Sequence, residues 1–257
     1  MATTVLSGTS GALYYKPAGT TGTFGTAGVN VGTDTITVET YLNLKVGDPV
    51  QFSVVNSQTG GAGTGTLPAG ISPATTYYVI SYTSSTGELQ VSATEGGVVI
   101  TITDAGTASD PNEFQVAYSE FAAVGQVRDW NFEITRAEID VTTIGQTQGQ
   151  YVPFRTYIAG FGDGTGSATV YMTNESLSLS NRMIEDVLQR QQTGAAFKLY
   201  IDRVYSGGNV DDNLSRSISF EATLTSASMN VNPDDAQSVT VNFRPATAPD
   251  FDFSTTA

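Results

Sequence analysis

Apolar and polar residues alternate along much of this chain, most clearly over residues 127–144, V-R-D-W-N-F-E-I-T-R-A-E-I-D-V-T-T-I. Trp130, Phe132 and Ile134 share one face of an extended strand there, with Asp129, Asn131, Glu133 and Thr135 on the other. Past Thr135 the apolar residues move to odd positions, Ile139 and Val141, with the less apolar Thr143 following. A period of two cannot change parity without an extra residue or a break, which predicts a bulge or kink within residues 135–138. The strand is read as the spine of a β-barrel or sandwich, with Trp130, Phe132 and Ile134 packing the core.

Shorter alternations predict strands at 12–15, 35–38, 49–55, 76–82, 89–93, 98–103, 113–117, 168–172, 197–201, 218–226 and 238–243. Turn sequences separate them, among them Val46-Gly47-Asp48-Pro49, Leu67-Pro68-Ala69-Gly70 and Ser85-Thr86-Gly87. The last two strands, linked through Asn232-Pro233-Asp234-Asp235, read as an antiparallel pair. A Gly-rich run, G-F-G-D-G-T-G-S at 160–167, precedes the strand at 168–172. One segment has a helical period instead. In residues 181–192, Met183, Ile184, Val187 and Leu188 fall on one face, which predicts a helix packed along a flank of the sheet through those four side chains. Ser180 or Asn181 is placed to cap its start and Gly194 to end it. The predicted class is all-β with one flanking α-helix.

Composition agrees with that class and narrows the chemistry. The chain has 257 residues, enough for one large β domain or two smaller ones, and its 27 glycines suit tight turns. No apolar run approaches 18 residues, so no membrane insertion is expected, and residues 1–5 lack the basic and apolar regions of a signal peptide. There is no Cys, hence no disulfide, thiolate nucleophile or cysteine zinc site. There is no His, hence no Ser-His-Asp triad and no base naturally poised near neutral pH. Only three lysines are present, Lys16, Lys45 and Lys198. The expectation is a protein that is not an enzyme, with no catalytic residues, no cofactor and no metal. A net charge of -14 argues against gripping nucleic acid by its phosphates. The same charge would keep a surface soluble, or let DNA slide past without sticking.

Four features could carry sharper chemistry. Gly160, Gly162, Gly164 and Gly166 resemble a dinucleotide fingerprint, but the spacing is wrong and a strand rather than a helix follows. Asp211-Asp212-Asn213 and Asp234-Asp235 lack the alternate-residue spacing and distal Glu of a calcium loop. Glu133, Glu138 and Asp140 could be imagined as a glycosidase pair, yet their places along the spine strand suit solvated or lumen-facing carboxylates better. Tyr77, Tyr78 and Tyr82 could form a sugar-binding platform, although tyrosines in a strand more often pack the core and across strands.

The texture of the chain changes twice. A Gly/Thr-rich link at 18–32 leads into a compact run of short strands that ends near Tyr118. Residues 19–119 hold eight acidic residues against Lys45 alone, a net of -7. After Glu120 arginine becomes frequent and the strands lengthen.

Several of these pieces together resemble the major tail (tail tube) proteins of tailed bacteriophages. The matching residues are G-T-S-G-A-L-Y-Y-K at 8–16, V-G-Q-V-R-D-W at 124–130, E-I-D-V-T-T-I-G at 138–145, the Gly-rich 160–167, the helix and the C-terminal hairpin. They cover roughly 1–18 and 120–257. In that family the first strand reaches the Trp strand after a short hairpin, so the resemblance implies a discontinuous tail-tube core of 1–18 and 120–257. Residues 19–119 would be an inserted β-sandwich-like domain on the tube exterior.

The resemblance implies a tail-tube-like β-sandwich or barrel subunit, located in the virion tail and assembled in the host cytoplasm. Its partners would be further copies of itself, in rings (typically hexamers) stacked into a tube, and other tail proteins. Double-stranded DNA would pass through the lumen during genome ejection without specific binding. By position, the loop that packs on the neighbouring ring would be 145–154, with Tyr151, Val152 and Phe154 as candidate inter-ring or inter-subunit contacts. A host-surface or carbohydrate-binding β protein of the virion is the alternative, resting on the tyrosines of 19–119.

Overall fold

The computed structural model describes residues 10–125, 127–142, 155–172, 179–231 and 236–253. These residues are nearly all β, with one α-helix. The chain enters through β1 (Ala12–Lys16) and then builds a seven-stranded sheet. Its strands are β2 (Gly22–Phe24), β3 (Val29–Asn30), β4 (Thr35–Thr37), β5 (Pro49–Asn56), β6 (Tyr77–Thr83), β7 (Glu88–Ser92) and β8 (Asn112–Tyr118). They lie in the order β2-β8-β5-β6-β7-β4-β3 with antiparallel neighbours. Alternate residues of β5, β6, β7 and β8 point inward, so Val50, Phe52, Val79, Leu89, Val91, Phe114 and Val116 converge on one apolar cluster.

The chain then returns to β1. Strands β9 (Ala122–Ala123), β10 (Val127–Asp140) and β11 (Tyr157–Tyr171) precede the helix α1 (Leu179–Glu185). Strand β12 (Ala196–Asp202) follows, then a small hairpin of β13 (Tyr205–Ser206) and β14 (Asn209–Val210). Strands β15 (Arg216–Asn230), β16 (Ser238–Pro245) and β17 (Asp250–Asp252) complete the second sheet. Its order is β10-β11-β16-β15-β12-β1-β9, with β17 beside β15. Inward residues of these strands form a second cluster, including Leu13, Tyr15, Phe197, Leu199, Phe220, Val241 and Phe243, which shares no residue with the first. Phe243 stacks on Phe197 at 4.2 Å and Phe132 on Phe220 at 4.8 Å, the close ring packing that gives aromatic cores part of their specificity.

The run 98–103 is not a strand. Val99 makes only an isolated bridge to Ser92, and the Ile102 amide donates to the Asp34 carboxylate at 2.8 Å rather than to a ladder partner. The Gly-rich run at 160–167 lies inside β11, which is far longer than the predicted 168–172. The glycines there make room for rings. A Cβ at Gly166 would lie 2.2 Å from the Phe243 ring, and one at Gly164 would lie 2.8 Å from Pro245.

A register shift falls where the parity change predicts a bulge, but the extra residue is on the partner strand, so β10 keeps its own alternation. Pairing between β10 and β11 shifts between Arg136 and Glu138, where Gly160 and Phe161 together face Ala137. The extra residue sits on β11, and the Arg136 side chain donates to the Gly160 carbonyl at 3.2 Å. Trp130 and Phe132 are half-buried against the second cluster. Ile134 is not in the core: it is 52% exposed. The ladder from β16 onto β11 ends at Gly166–Phe243, so no further strand covers Ile134, which pairs with Gly164.

The helix also departs from expectation. It begins at Leu179, which places Ser180 and Asn181 inside it, and it tightens into a 3-10 turn over Asp186–Leu188. Met183 is fully buried, while Ile184 and Val187 are partly buried against the core. Leu188 is 89% exposed, against the expectation that it packs inward. Three 3-10 residues at ~120° each carry it roughly 60° past its α-helical position, and the chain turns extended at Gln189. Gly194 does adopt the left-handed region, φ +88, but in the turn before β12, where a Cβ would strike Thr21.

Candidate functional site

Beyond Phe132 on β10 and Gly166 on β11 the two strands leave the sheet and run on as a ribbon, residues 133–140 against 157–165. Eight residues at ~3.3 Å each give an arm roughly 25 Å long. Every residue from Glu133 to Thr142 is exposed, and on β11 only Gly160 and Gly164 among 157–165 are not.

Polarity along the arm follows the phase change. Ile134 continues the face of Trp130 and Phe132, whereas Ile139, paired with Ile158, falls on the opposite face. Exposure of these side chains is high: Ile139 48%, Tyr157 49%, Ile158 52% and Phe161 92%. Phe161, the most exposed of them, sits at the bulge opposite Ala137. The outer end of the arm is tied by polar bonds. Thr142 donates its amide to Asp140 Oδ1 at 2.9 Å, Thr156 donates to Thr142 Oγ1 at 2.9 Å, and Arg155 lies 3.8 Å from Asp140. The bonds from Thr142 hold the Asp140 carboxyl below its usual range. At the root, Arg244 of β16 sits 3.7 Å from Asp163.

Tyr151, Val152 and Phe154, the contact candidates in the sequence, lie outside the described residues. The apolar residues that the arm does expose, Tyr157, Ile158 and Phe161, were hidden by the glycines around them. Their signal was present in the register: Gly160, Gly162, Gly164 and Gly166 alternate, as strand residues do and turn residues need not.

No other candidate assembles into a site. Glu133, Glu138 and Asp140 lie along the exposed arm; Glu138 borders a depression of about 280 Å³ with Arg136, Tyr157 and Ile158, and neither of the other two carboxylates lines it. Asp212 is taken by Lys198 at 2.8 Å and by the Tyr200 hydroxyl at 2.5 Å, and Asp211 accepts the Asn213 amide at 3.0 Å, which is ordinary turn chemistry. Asp234 and Asp235 lie outside the described residues. Among the described residues no group of three His, Cys, Asp or Glu could hold a metal ion. Tyr77 is buried with its hydroxyl accepting the Ser72 amide at 2.8 Å. The Tyr82 hydroxyl accepts the Leu42 amide at 2.8 Å. These rings serve packing and do not form an exposed platform. Among the described residues no helix is long and apolar enough to cross a membrane.

No family model and no curated protein matches the chain. Among solved structures, a chain from the virion of a native gene transfer agent particle is similar at 14% identity and a TM-score of 0.36. That similarity covers 51% of this chain and 88% of the other. A chain from the tail of an empty gene transfer agent particle with C6 symmetry is similar at 15% identity and a TM-score of 0.36, covering 51% of this chain and 86% of the other.

Proposed function

We propose that the chain is a structural subunit of a phage-type virion tail, which joins copies of itself into rings (hexamers by resemblance) and stacks them into the tube that conducts DNA. The observation that carries this reading is the arm. A two-stranded ribbon alone is at best marginally stable in water. A ribbon with exposed apolar side chains and an open edge also invites pairing with other chains. Here Ile134, Ile139, Tyr157, Ile158 and Phe161 are exposed along 133–140 and 157–165. Fully burying such a side chain is worth about 1.5–3 kcal/mol, and covering one that is half exposed about half of that. A neighbouring copy that covers the arm recovers that energy and closes the edge. The net charge of -14 suits a lumen that DNA traverses without adhering. The lack of Cys and His, and the residues shared with tail tube proteins, support a structural rather than a catalytic role.

The test is the double substitution Phe161→Ser with Ile158→Ser. Both residues are exposed in the free subunit, so its unfolding temperature should stay within a few degrees of the parent's. The parent should form rings or tubes in negative stain at high concentration, and the double variant should remain monomeric in sedimentation velocity. A parent that stays monomeric even with tail initiator proteins present, or a variant that polymerises equally well, would overturn the reading.

A further inference from the structure

The two apolar clusters share no residue, so something other than a common core joins the sheets. The junction is polar and buried. Arg182 of α1 is 1% exposed and donates Nη1 to Asp48 Oδ1 at 2.5 Å and Nη2 to the Asn43 carbonyl at 2.6 Å. Asp48 and Asn43 belong to the loop before β5. Asp186, which follows α1 and is fully buried, accepts Asn43 Nδ2 on one oxygen at 2.6 Å. Its other oxygen accepts the Tyr15 hydroxyl at 2.7 Å and the Ala18 amide at 2.9 Å. Asn43 donates its own amide to Gly19 at 2.8 Å, and Lys45 reaches Glu185 at 2.7 Å on the exposed rim. On the neighbouring side the sheets part. A cleft of about 560 Å³ opens there, lined by Lys16, Gln115, Tyr118, Phe121, Thr193 and Glu221 among others.

We propose that this cluster is an orientation latch: buried charge-assisted bonds, in place of a shared apolar core, hold the seven-stranded sheet at one fixed attitude on the eight-stranded one. Geometry is the first support, because the guanidinium fork and the carboxylate each reach two or more partners in fixed directions. Energetics is the second. Removing charges from water costs more than a single attraction returns unless every group is satisfied, and among the described residues Arg182 Nε is buried with no hydrogen-bond partner. Burial accordingly pushes the Asp48 and Asp186 carboxyls up despite Arg182 and the bonds that pull them down. With folded values above the unfolded ones, their contribution is most favourable at low pH and is lost as pH rises through the raised values. At neutral pH ionising these two carboxyls in the folded chain therefore works against folding, whereas the bonds they make fix direction. The inference is independent of the assembly reading.

The chain has no cysteine, so a pair of spin labels can be placed cleanly. Val98→Cys labels the seven-stranded unit and Ser228→Cys labels the eight-stranded one, both at exposed positions. The parent should give one narrow distance distribution by double electron–electron resonance at pH 7.5. Asp48→Leu combined with Arg182→Met should at least double its width, with no fall in unfolding temperature. Asn43→Ala, which removes the Asn43–Asp186 bond, should broaden it partially, while Lys45→Ala on the rim should leave it unchanged. A distribution that stays narrow in both the double variant and Asn43→Ala would overturn the latch. So would a double variant that unfolds at markedly lower temperature, since the cluster would then be a stability element.

Discussion

The glycine at 166 offers a sharp test of how the long strand β11 sits on its core. Substitution by alanine places a Cβ 2.2, 2.5 and 3.0 Å from three carbons of the Phe243 ring. Comfortable carbon contacts lie near 3.5–4.0 Å, so the ring would have to move by more than about 1 Å. It has nowhere to go, being 1% exposed, stacked on Phe197 at 4.2 Å and close to Phe220 at 5.9 Å. Overpacking of this kind costs about 1–3 kcal/mol. Alanine recovers about 0.5–1 kcal/mol by restricting the unfolded chain, which leaves a net loss of about 1–2 kcal/mol. Gly162→Ala is the control, because its Cβ would meet nothing nearer than 3.9 Å and should be neutral or slightly stabilising. The assay is urea unfolding followed by fluorescence of Trp130, the only tryptophan, which packs on the eight-stranded core. Running it in the Phe161→Ser, Ile158→Ser background removes any stabilisation by assembly. The Gly166→Ala midpoint should fall by about 0.5–1 M urea. Coincident midpoints for Gly166→Ala and Gly162→Ala would refute the packing argument.

Two further predictions concern the helix and the division of the chain. Met183→Ala should cost about 2–4 kcal/mol, whereas Leu188→Ala should stay within about 0.5 kcal/mol, since one side chain is buried and the other 89% exposed; equal effects in thermal unfolding would contradict the 3-10 ending of the helix. Excising 19–119 and joining Ala18 to Glu120 should leave a soluble β protein with Trp130 emission like the parent's. A product unfolded by circular dichroism would rule out an autonomous core.

Much of the fold was legible because burial imposes a period. Leu13 and Tyr15, Val50 and Phe52, Phe197 and Leu199, and Val239, Val241 and Phe243 alternate in the sequence and point inward in the structure. The parity change in the spine strand pointed to the place of the register shift between Arg136 and Glu138, but not to the strand that carries the extra residue, which is β11. What periodicity could not show is where a sheet ends. Ile134 has the sequence environment of a core residue, and it is half exposed because the β16 ladder on β11 ends at Gly166. Leu188 fails for a local reason, a tightening of the last helical turn that an α-helical wheel does not contain. Arg182 in α1 and Asp186 in the 3-10 turn after it lie four apart in sequence, a spacing that by itself marks neither as buried. The structure buries both and spends them on the loop holding Asn43 and Asp48, some 140 residues earlier in the chain.

The placement of 17–121 within the fold has a thermodynamic logic. Strand β1 pairs with β9 so that Tyr15 faces Ala122, and Lys16 lies 4.9 Å from the Phe121 ring. The two ends of the intervening segment are therefore held side by side by this ladder. Closing a longer loop costs only about 0.6 kcal/mol per doubling of its length, and a segment that brings its own apolar cluster asks little of the host. Such a host faces a different difficulty, because a unit joined at adjacent strand ends can pivot about them. A second contact away from the pivot removes that freedom, and the Arg182–Asp48 and Asp186–Asn43 bonds supply one from the helix flank. Among the described residues the arm has no comparable partner. Each sheet closes over its own core, and no other described strand runs beside 133–140 and 157–165, so on the proposed reading a neighbouring copy covers their apolar side chains.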